Sequence, residues 1–269
     1  MTRILSLWIT AGLLALGSPT NAKQICTLIA EPASGEILLE QGDCTTRVTP
    51  ASTFKIALAL IGYDTGFLID AQTPRLPYKT EYVAWGGENW TQTTDPERWL
   101  KYSVVWYSQQ ITKALGQDTL ERYARAFQYG TADFSGDAGK NNGLERAWIE
   151  SSLKISPREQ VAFLSGLVNH ALPVRAESID KTRQIVEAVR LENGWTLHGK
   201  TGSAYPRNAD GSFNRARARG WFVGWAEKDG KTLVFARLNQ DEKRTKPSSG
   251  LRARQGFITD WPALIGSLP

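Results

Sequence analysis

The sequence predicts a mixed α/β fold, more narrowly α+β, in which an antiparallel sheet built from both termini is flanked by helices and interrupted by an inserted all-helical lobe. Helical patterns fill the middle of the chain, whereas strand patterns rich in β-branched and aromatic residues lie near both ends. Strands of one sheet must lie side by side, so the two ends of the chain must meet. The predicted strands cover residues 25–30, 36–40, 195–203, 221–227 and 232–238.

The first 22 residues have the pattern of a secretory signal peptide. Residues 1–3 form a short basic region through Arg3, residues 4–16 are mostly apolar, and residues 20–22 offer a small-residue cleavage site. The apolar run is interrupted and is shorter than a typical membrane span, which disfavours an uncleaved anchor. We therefore expect a periplasmic protein with no membrane span after cleavage, and removing 22 of the 269 residues leaves 247.

Two cysteines, Cys26 and Cys44, flank the first predicted hairpin. Its strands surround the turn residues 32–35, so folding about that turn brings the two cysteines opposite each other. Disulfides persist in the compartments to which exported proteins are delivered. We predict one Cys26–Cys44 bond, and the alternative is a pair of buried reduced thiols.

The middle of the chain begins with a buried helix. Residues 56–61 are apolar on every face, so the helix that starts near Ser52 should lie in the core. Residues 66–97 form a long stretch rich in proline and glycine, of the kind that often covers a site. Ser156, Pro157 and Glu159 form a helix N-cap and capping box. The later helices are predicted over residues 105–115, about 119–127, 157–169 and 180–190.

The C-terminal part returns to strands and ends in a helix. Residues 228–231, Lys-Asp-Gly-Lys, predict a tight hairpin between the last two strands. A final helix is predicted over about residues 253–265. These assignments give a signal peptide at 1–22 and a single domain of two lobes at 23–269, with a sheet lobe of about 23–49 plus 191–269 and a helical lobe of about 50–190.

Charge and histidine content argue against several functions. The net charge is +5, or +4 once Arg3 leaves with the signal, and no long basic block occurs, so we expect no nucleic-acid partner. His170 and His198 are the only histidines, and neither lies in a metal-binding motif, which argues against a metal site. A Ser-His-Asp triad would require His198, which we interpret instead as a packed or exposed strand residue.

Ser52 and Lys55 form a Ser-x-x-Lys motif at the start of the buried helix. Residues three apart share a helix face, so the Lys55 amine can reach the Ser52 hydroxyl. A serine hydroxyl needs a neighbouring base, and burial would lower the pKa of Lys55 enough to provide one. The pair indicates serine acyl transfer. The alternative is a lysine that extends from a core helix to solvent.

A second motif, Lys200, Thr201 and Gly202, lies on a predicted strand far downstream. Between and beyond the two motifs, the chain also has, in order, Ser103 with Val105, Tyr129 with Gly130, Trp148, and Trp221 with Gly224. This ordered set resembles the class D serine β-lactamases, the oxacillinases, over essentially the whole chain after the signal. The resemblance implies the fold of serine β-lactamases and penicillin-binding transpeptidases, and the hydrolysis of small β-lactam antibiotics.

The resemblance implies that Ser52 is the nucleophile and that carbon dioxide carboxylates Lys55, which becomes the general base. No metal and no other cofactor are implied. An amine reacts with carbon dioxide only when it is neutral, so burial must lower the pKa of Lys55. Trp148 is implied to donate its indole N–H to the resulting carbamate. The expected apolar surroundings of the amine are Phe54, Leu58, Val105 and Trp148.

Four further groups have implied roles in acyl transfer. Ser103 is the implied proton shuttle to the leaving lactam nitrogen. Lys200 supplies the positive potential that holds the substrate carboxylate. The backbone N–H groups of Ser52 and Ser203 are the implied oxyanion hole.

Thr201 and an arginine at the start of the last helix are implied to bind the substrate carboxylate, with Gly202 and Val105 also lining the substrate site. Arg252 and Arg254 both qualify. Apolar residues lie three and seven positions beyond Arg254, as an inward-packing helix requires, so we favour Arg254.

One departure from the family pattern is Thr131, which follows Tyr129 and Gly130 where the family usually has asparagine. Threonine keeps a hydroxyl acceptor and loses the amide donor, which bears on packing near Tyr129. Two other functions use the same motifs: a β-lactam sensor domain, and a penicillin-binding carboxypeptidase or transpeptidase. Both acylate and then deacylate slowly. The sequence predicts no oligomeric state.

Overall fold

A computed structural model describes residues 22–269 of the chain. The strands are β1 (Ala22–Ala30), β2 (Ile37–Gly42), β3 (Ala188–Arg190), β4 (Thr196–Ala204), β5 (Arg219–Lys228) and β6 (Lys231–Asp241). The helices are α1 (Phe54–Asp64), α2 (Pro96–Tyr102), α3 (Val105–Leu115), α4 (Gln117–Ala126), α5 (Gly143–Arg146), α6 (Pro157–Val168), α7 (Ala176–Ile185) and α8 (Ser249–Gly266). Short 3₁₀ turns occur at Ala51–Thr53, Gly87–Trp90 and Arg215–Arg217.

The sheet joins both ends of the chain, as the sequence predicts. Its six strands follow the order β2-β1-β6-β5-β4-β3, and every neighbouring pair is antiparallel. The N-terminal hairpin therefore extends the C-terminal meander through the β1–β6 pair. Helices α1 to α7 lie between β2 and β3 in sequence, so the helices do form an insertion into an antiparallel sheet.

Strand β5 shows why the sheet is buried on both faces. Trp221, Val223 and Trp225 alternate along it and pack into the core shared with the helical insertion, whereas Phe222 and Ala226 face α8. This is the period of two expected of a pleated strand. On the α8 side, Phe222, Phe235, Phe257, Trp195 and Trp261 form a chain of aromatic contacts with ring centroids 4.4 to 5.8 Å apart.

The predicted disulfide is confirmed. Cys26 and Cys44 are bonded, with their Cα atoms 5.1 Å apart. Cys26 lies opposite Gly42 in the β1–β2 register, so Cys44 follows just after the end of β2. The bond therefore closes the open end of the hairpin.

The predicted helix over residues 180–190 is wrong at both ends. Helix α7 starts earlier and stops at Ile185, because Val186 adopts an extended conformation with φ −75° and ψ 127°. The last predicted helical residues are instead β3, which pairs with β4. A tight turn joins the two strands through Gly194, whose φ is +87°. This Asn-Gly turn is a hairpin signal that the helical interpretation overlooked.

The other predicted helices are confirmed, with small shifts at their ends. Helix α3 has the predicted bounds, and α6 starts at Pro157 with the predicted capping box between Ser156 and Glu159. Helix α8 begins four residues earlier than predicted, at Ser249, and α5 was not predicted. The predicted signal peptide lies outside the described residues except for Ala22, which begins β1. Within residues 22–269, no helix is both long and apolar enough to cross a membrane.

Candidate active site

The segment before α1 forms a tight turn that presents Ser52. Ala51 has φ +50°, a left-handed conformation that non-glycine residues seldom adopt. Thr53 holds the turn together, because its hydroxyl donates to the Pro50 carbonyl at 2.8 Å and accepts from the Gln160 amide at 2.8 Å. Ala51 and Thr53 are buried while Ser52 is partly exposed. The turn therefore fixes the Ser52 hydroxyl at an accessible position.

Lys55 is fully buried one turn into this segment. Its Nζ lies 3.3 Å from the Ser52 Oγ, within hydrogen-bond distance. Burial lowers the pKa of Lys55 well below its ordinary value, and the charge of Lys200 lowers it further. The apolar faces of α1, which are buried from Phe54 to Tyr63, cause this desolvation. The neutral amine is therefore favoured next to the hydroxyl.

Trp148 belongs to the same core. It is buried and its ring packs against Phe54, the residue before Lys55, with centroids 5.6 Å apart. Its indole N–H finds no hydrogen-bond acceptor among residues 22–269. A buried N–H without an acceptor is unfavourable, and such groups often mark the place of a missing partner.

Ser103 lies between α2 and α3 in a left-handed conformation, with φ +57° and ψ 36°. Its hydroxyl accepts a hydrogen bond of 2.5 Å from the Lys200 ammonium, which also donates to the Thr201 carbonyl at 3.3 Å. Burial lowers the pKa of Lys200 to about 8, with Glu187 opposing the shift and Arg254 adding to it. Ser52 with Lys55 and Ser103 with Lys200 thus form two hydrogen-bonded pairs, and the charge of Lys200 acts on the Lys55 amine.

Gly202 allows β4 to approach the nucleophile turn. A Cβ on this residue would lie 2.9 Å from the Pro50 carbonyl oxygen and 3.3 Å from the Ser52 backbone nitrogen. Only glycine fits this separation without displacement. Strand β3 begins at Ala188, opposite His198, so within the described chain the residues of β4 beyond Gly199 border an open edge of the sheet. That edge lies beside Ser52.

Ser203 connects β4 to the start of α8. Its hydroxyl accepts a 2.9 Å hydrogen bond from the Gly250 backbone N–H. Gly250 also lies against the Gly202 carbonyl, since an added Cβ would come within 2.6 Å of that oxygen. The contact fixes the first turn of α8 beside the strand that carries Lys200.

The two candidate arginines have different partners. Arg252 pairs with the Asp241 carboxylate and donates to the Thr245 carbonyl at 2.7 Å. Arg254 pairs with Glu187 at 3.0 Å, and both members of this pair act on the pKa of Lys200. Arg254 is therefore the arginine on the Lys200 side of the helix. Glu187 was not anticipated, since nothing local marks a glutamate between α7 and β3.

The remaining predicted positions differ in burial and in their contacts. Val105 is buried at the first position of α3, and Thr201 is partly exposed on β4. Tyr129 is buried and packs edge-on against Phe163 at 5.2 Å. The Thr131 hydroxyl donates to Ser152 O at 3.0 Å and accepts from Lys154 N at 3.0 Å, so threonine satisfies the local backbone here.

The histidines take no part in this centre. His198 stacks on Trp225, with centroids 4.9 Å apart, and its Nε2 lies 3.3 Å from Glu227, whereas His170 lies beside Asp180. Burial lowers the pKa of His198. Within residues 22–269, no three His, Cys, Asp or Glu side chains are grouped in a way that could hold a metal ion.

Comparison with known proteins gives concordant matches. Residues 25–257 match the family described as penicillin-binding protein transpeptidase domain. β-Lactamase OXA-9 of Klebsiella pneumoniae is 41% identical over 242 residues, which cover 90% of this chain and 88% of that protein. β-Lactamase OXA-1 of Escherichia coli is 39% identical, covering 80% of this chain and 75% of that protein.

A solved structure extends the match to three dimensions. The crystal structure of OXA-427, a class D β-lactamase, superimposes with a TM-score of 0.84 at 45% identity, covering 91% of this chain and 99% of that chain. The likeness in sequence and structure spans the nucleophile turn, the helical insertion and the strand that carries Lys200. The chain belongs to the class D β-lactamases.

Proposed function

We propose that this enzyme hydrolyses β-lactam antibiotics through an acyl-enzyme on Ser52, with N-carboxylated Lys55 as the general base in both half-reactions. The observation that carries the proposal is the fully buried Lys55 amine 3.3 Å from the Ser52 Oγ. Its lowered pKa supplies a neutral amine, which is the form that reacts with carbon dioxide.

Two buried groups support an added carboxylate on Lys55. The Trp148 indole N–H is buried and has no acceptor within residues 22–269, so it is a donor that an added carboxylate could satisfy. Lys200 lies close enough for its positive charge to lower the pKa of Lys55, and the same charge would stabilise an anion there. The carboxylate would supply a base next to the nucleophile, where a protonated amine could not.

In acylation, carboxylated Lys55 takes the hydroxyl proton of Ser52 while the Ser52 Oγ bonds to the lactam carbonyl carbon. The backbone N–H groups of Ser52 and Ser203 stabilise the negative oxygen that forms. Ser103 delivers a proton to the lactam nitrogen as the carbon–nitrogen bond breaks. Lys200, at 2.5 Å, stabilises the Ser103 oxygen while this proton moves.

In deacylation, carboxylated Lys55 takes a proton from a water molecule, and the resulting hydroxide attacks the Ser52 ester. The ester bond to Ser52 breaks, and the proton returns to the Ser52 oxygen. Retention of the base on Lys55 therefore determines whether the acyl group is released. An enzyme that lost it would stop at the acyl-enzyme.

Substrate recognition involves the positive end of the site. Lys200, Thr201 and Arg254 bind the substrate carboxylate, while Gly202 and Val105 shape the wall beside it. The ion pair between Arg254 and Glu187 keeps this guanidinium on the Lys200 side of α8. From the signal peptide that the sequence predicts, we infer that the enzyme acts in the periplasm.

The test is a comparison of pre-steady-state and steady-state turnover of a chromogenic cephalosporin. Continuous turnover is expected. A stoichiometric burst without turnover would instead indicate a sensor domain or a penicillin-binding transpeptidase. In degassed buffer at low pH, the burst should be followed by slowing, and added bicarbonate should restore the rate. Insensitivity to bicarbonate down to about pH 5, far below the ordinary pKa of a lysine, would show that Lys55 acts as a plain amine.

A further inference from the structure

We infer that Thr49 is a positioning residue that fixes the backbone around Trp148 and thereby sustains carboxylation of Lys55. This inference rests on the proposed function. Thr49 lies three residues before Ser52, is buried, and was not singled out by any sequence motif. Its importance follows from the hydrogen bonds that it makes to distant parts of the chain.

The Thr49 hydroxyl bridges two backbone groups on either side of Ile149. It donates to the Trp148 carbonyl at 2.8 Å and accepts from the Glu150 N–H at 3.1 Å. A hydroxyl has one donor and two acceptor sites, so it can make both bonds at once. A single side chain therefore fixes the backbone at Trp148 and two residues beyond it.

Thr49 is itself firmly held. Its carbonyl accepts the Trp221 indole N–H at 2.9 Å, which joins it to the central strand β5. The preceding residue, Val48, exchanges hydrogen bonds of 3.0 and 2.8 Å with Ile155. The hydroxyl thus extends from a fixed backbone, and its hydrogen bond to the Trp148 carbonyl holds Trp148 in position relative to that backbone.

The segment that Thr49 holds is under backbone strain. Glu150 has φ +51°, which disfavours a side chain of its size. Such a conformation persists only when the surroundings determine it strongly. Here the constraints are the Thr49 hydroxyl, Arg207, which donates to the Glu150 carbonyl at 3.2 Å, and Arg219, which pairs with its carboxylate at 3.3 Å. Loss of the hydroxyl would leave the Glu150 N–H without its partner and allow Trp148 to shift.

Thr49 acts through Trp148 and not on substrate. Both hydroxyl contacts are to backbone, and the side chain is only 2% exposed. If the Trp148 N–H stabilises the charged form of carboxylated Lys55, then a displaced indole lowers the affinity of Lys55 for carbon dioxide. The effect should therefore appear in the bicarbonate dependence of the rate and disappear at saturating bicarbonate.

The experiment compares three variants of the full enzyme. Thr49→Val removes the hydroxyl with little change in shape, and Thr49→Ser retains the hydroxyl. Thr182→Val is the matched control, because the Thr182 hydroxyl is equally buried and donates to the Ser178 carbonyl at 2.8 Å within α7. The measured quantity is the bicarbonate concentration that gives half of the maximal steady-state rate, together with the carbamate signal of Lys55 in ¹³C NMR with labelled bicarbonate.

For Thr49→Val, the half-maximal bicarbonate concentration should rise on the order of tenfold, as expected for a disturbed hydrogen bond to a charged group, with the rate recovering at saturation. Thr49→Ser and Thr182→Val should behave like wild type. A wild-type bicarbonate dependence in Thr49→Val, or a loss of rate that bicarbonate does not rescue, would overturn the inference. A shifted bicarbonate dependence of the rate in Thr49→Ser would also overturn the inference. This measurement remains decisive if Thr49→Val does not fold.

The outcomes separate this inference from the function on which it rests. If wild type turns over the cephalosporin and requires bicarbonate, whereas Thr49→Val has an unaltered requirement, only the role of Thr49 is refuted. If wild type gives no carbamate signal and no bicarbonate dependence, carboxylation of Lys55 is refuted, and the role of Thr49 falls with it.

Discussion

Substitution of Gly202 by alanine tests the contact between β4 and the nucleophile turn. The new Cβ would lie 2.9 Å from the Pro50 carbonyl oxygen, 3.1 Å from the Thr53 Cγ2 and 3.3 Å from the Ser52 nitrogen. The Pro50 carbonyl cannot yield freely, because it accepts hydrogen bonds from the Thr53 N–H at 3.2 Å and the Thr53 hydroxyl at 2.8 Å. The strand and the turn must therefore separate.

The separation needed to reach an ordinary contact distance is about 0.5 Å, since 2.9 Å must become at least 3.4 Å. Misplacement of reacting groups by about 1 Å can lower rates by about 10²-fold, so we expect kcat/KM to fall by about tenfold. Overpacking of this kind also lowers the free energy of unfolding by about 1–3 kcal/mol. Burst kinetics with a chromogenic cephalosporin should show the loss mainly in acylation, because Ser52 and its backbone N–H are displaced.

Gly256→Ala is the matched control. This glycine lies in α8, its φ is not left-handed, and an added Cβ would meet nothing within 4 Å. Alanine there should leave kcat/KM unchanged and raise the free energy of unfolding by up to about 1 kcal/mol. An acylation rate for Gly202→Ala equal to that of Gly256→Ala would refute the argument that β4 sets the position of Ser52.

Three further predictions concern the nucleophile, the disulfide and the pH dependence. Ser52→Ala should abolish turnover and leave the fold intact, and turnover within tenfold of wild type would exclude Ser52 as nucleophile. Reduction of Cys26–Cys44, which are 18 residues apart, should lower the free energy of unfolding by about 3 kcal/mol in the loop-entropy model, measured by denaturant titration with and without reductant, and should leave kcat unchanged. Because burial lowers the pKa of Lys200 to about 8, its ammonium is present below that pH and lost above it, so kcat/KM should fall as the pH rises through about 8; a fall only near 10.5 would contradict this.

The features that sequence predicts best are those with local causes. Ser156 and Glu159 are three residues apart, so the capping box that begins α6 is complete within one turn. The burial of Lys55 follows in the same way from a helix that is apolar on all faces. The disulfide follows from a short hairpin and its turn. Each of these three predictions uses only residues that lie within about 20 positions of one another in the sequence.

The features that sequence misses depend on distant partners. Thr49 meets Trp148 across 99 positions and Trp221 across 172, and no local pattern records either contact. The end of α7 also depends on a distant partner. Residues 188–190 follow a helix in the sequence, but they pair with β4 and form an edge strand. Glu187 joins the site only because β3 and α8 come together beside Lys200. These contacts are set by the assembled sheet.

The two buried lysines lead to a last prediction about the free enzyme. In the absence of substrate, the positive charge of Lys200 lowers the pKa of Lys55 and would also attract the carboxylate formed on it. Both effects favour carboxylation. Lys200→Met should therefore reduce the Lys55 carbamate signal in ¹³C NMR and raise the bicarbonate concentration needed to form it, even though no substrate carboxylate is present.

Arg254→Ala separates this effect from substrate binding. Arg254 acts on the pKa of Lys200, but it is not among the groups that shift the pKa of Lys55. Its replacement should raise KM and leave the carbamate signal of the free enzyme close to that of wild type. If Lys200→Met instead keeps the full signal at wild-type bicarbonate concentrations, then Lys200 serves the substrate alone, and the desolvation of Lys55 by α1 is sufficient for carboxylation.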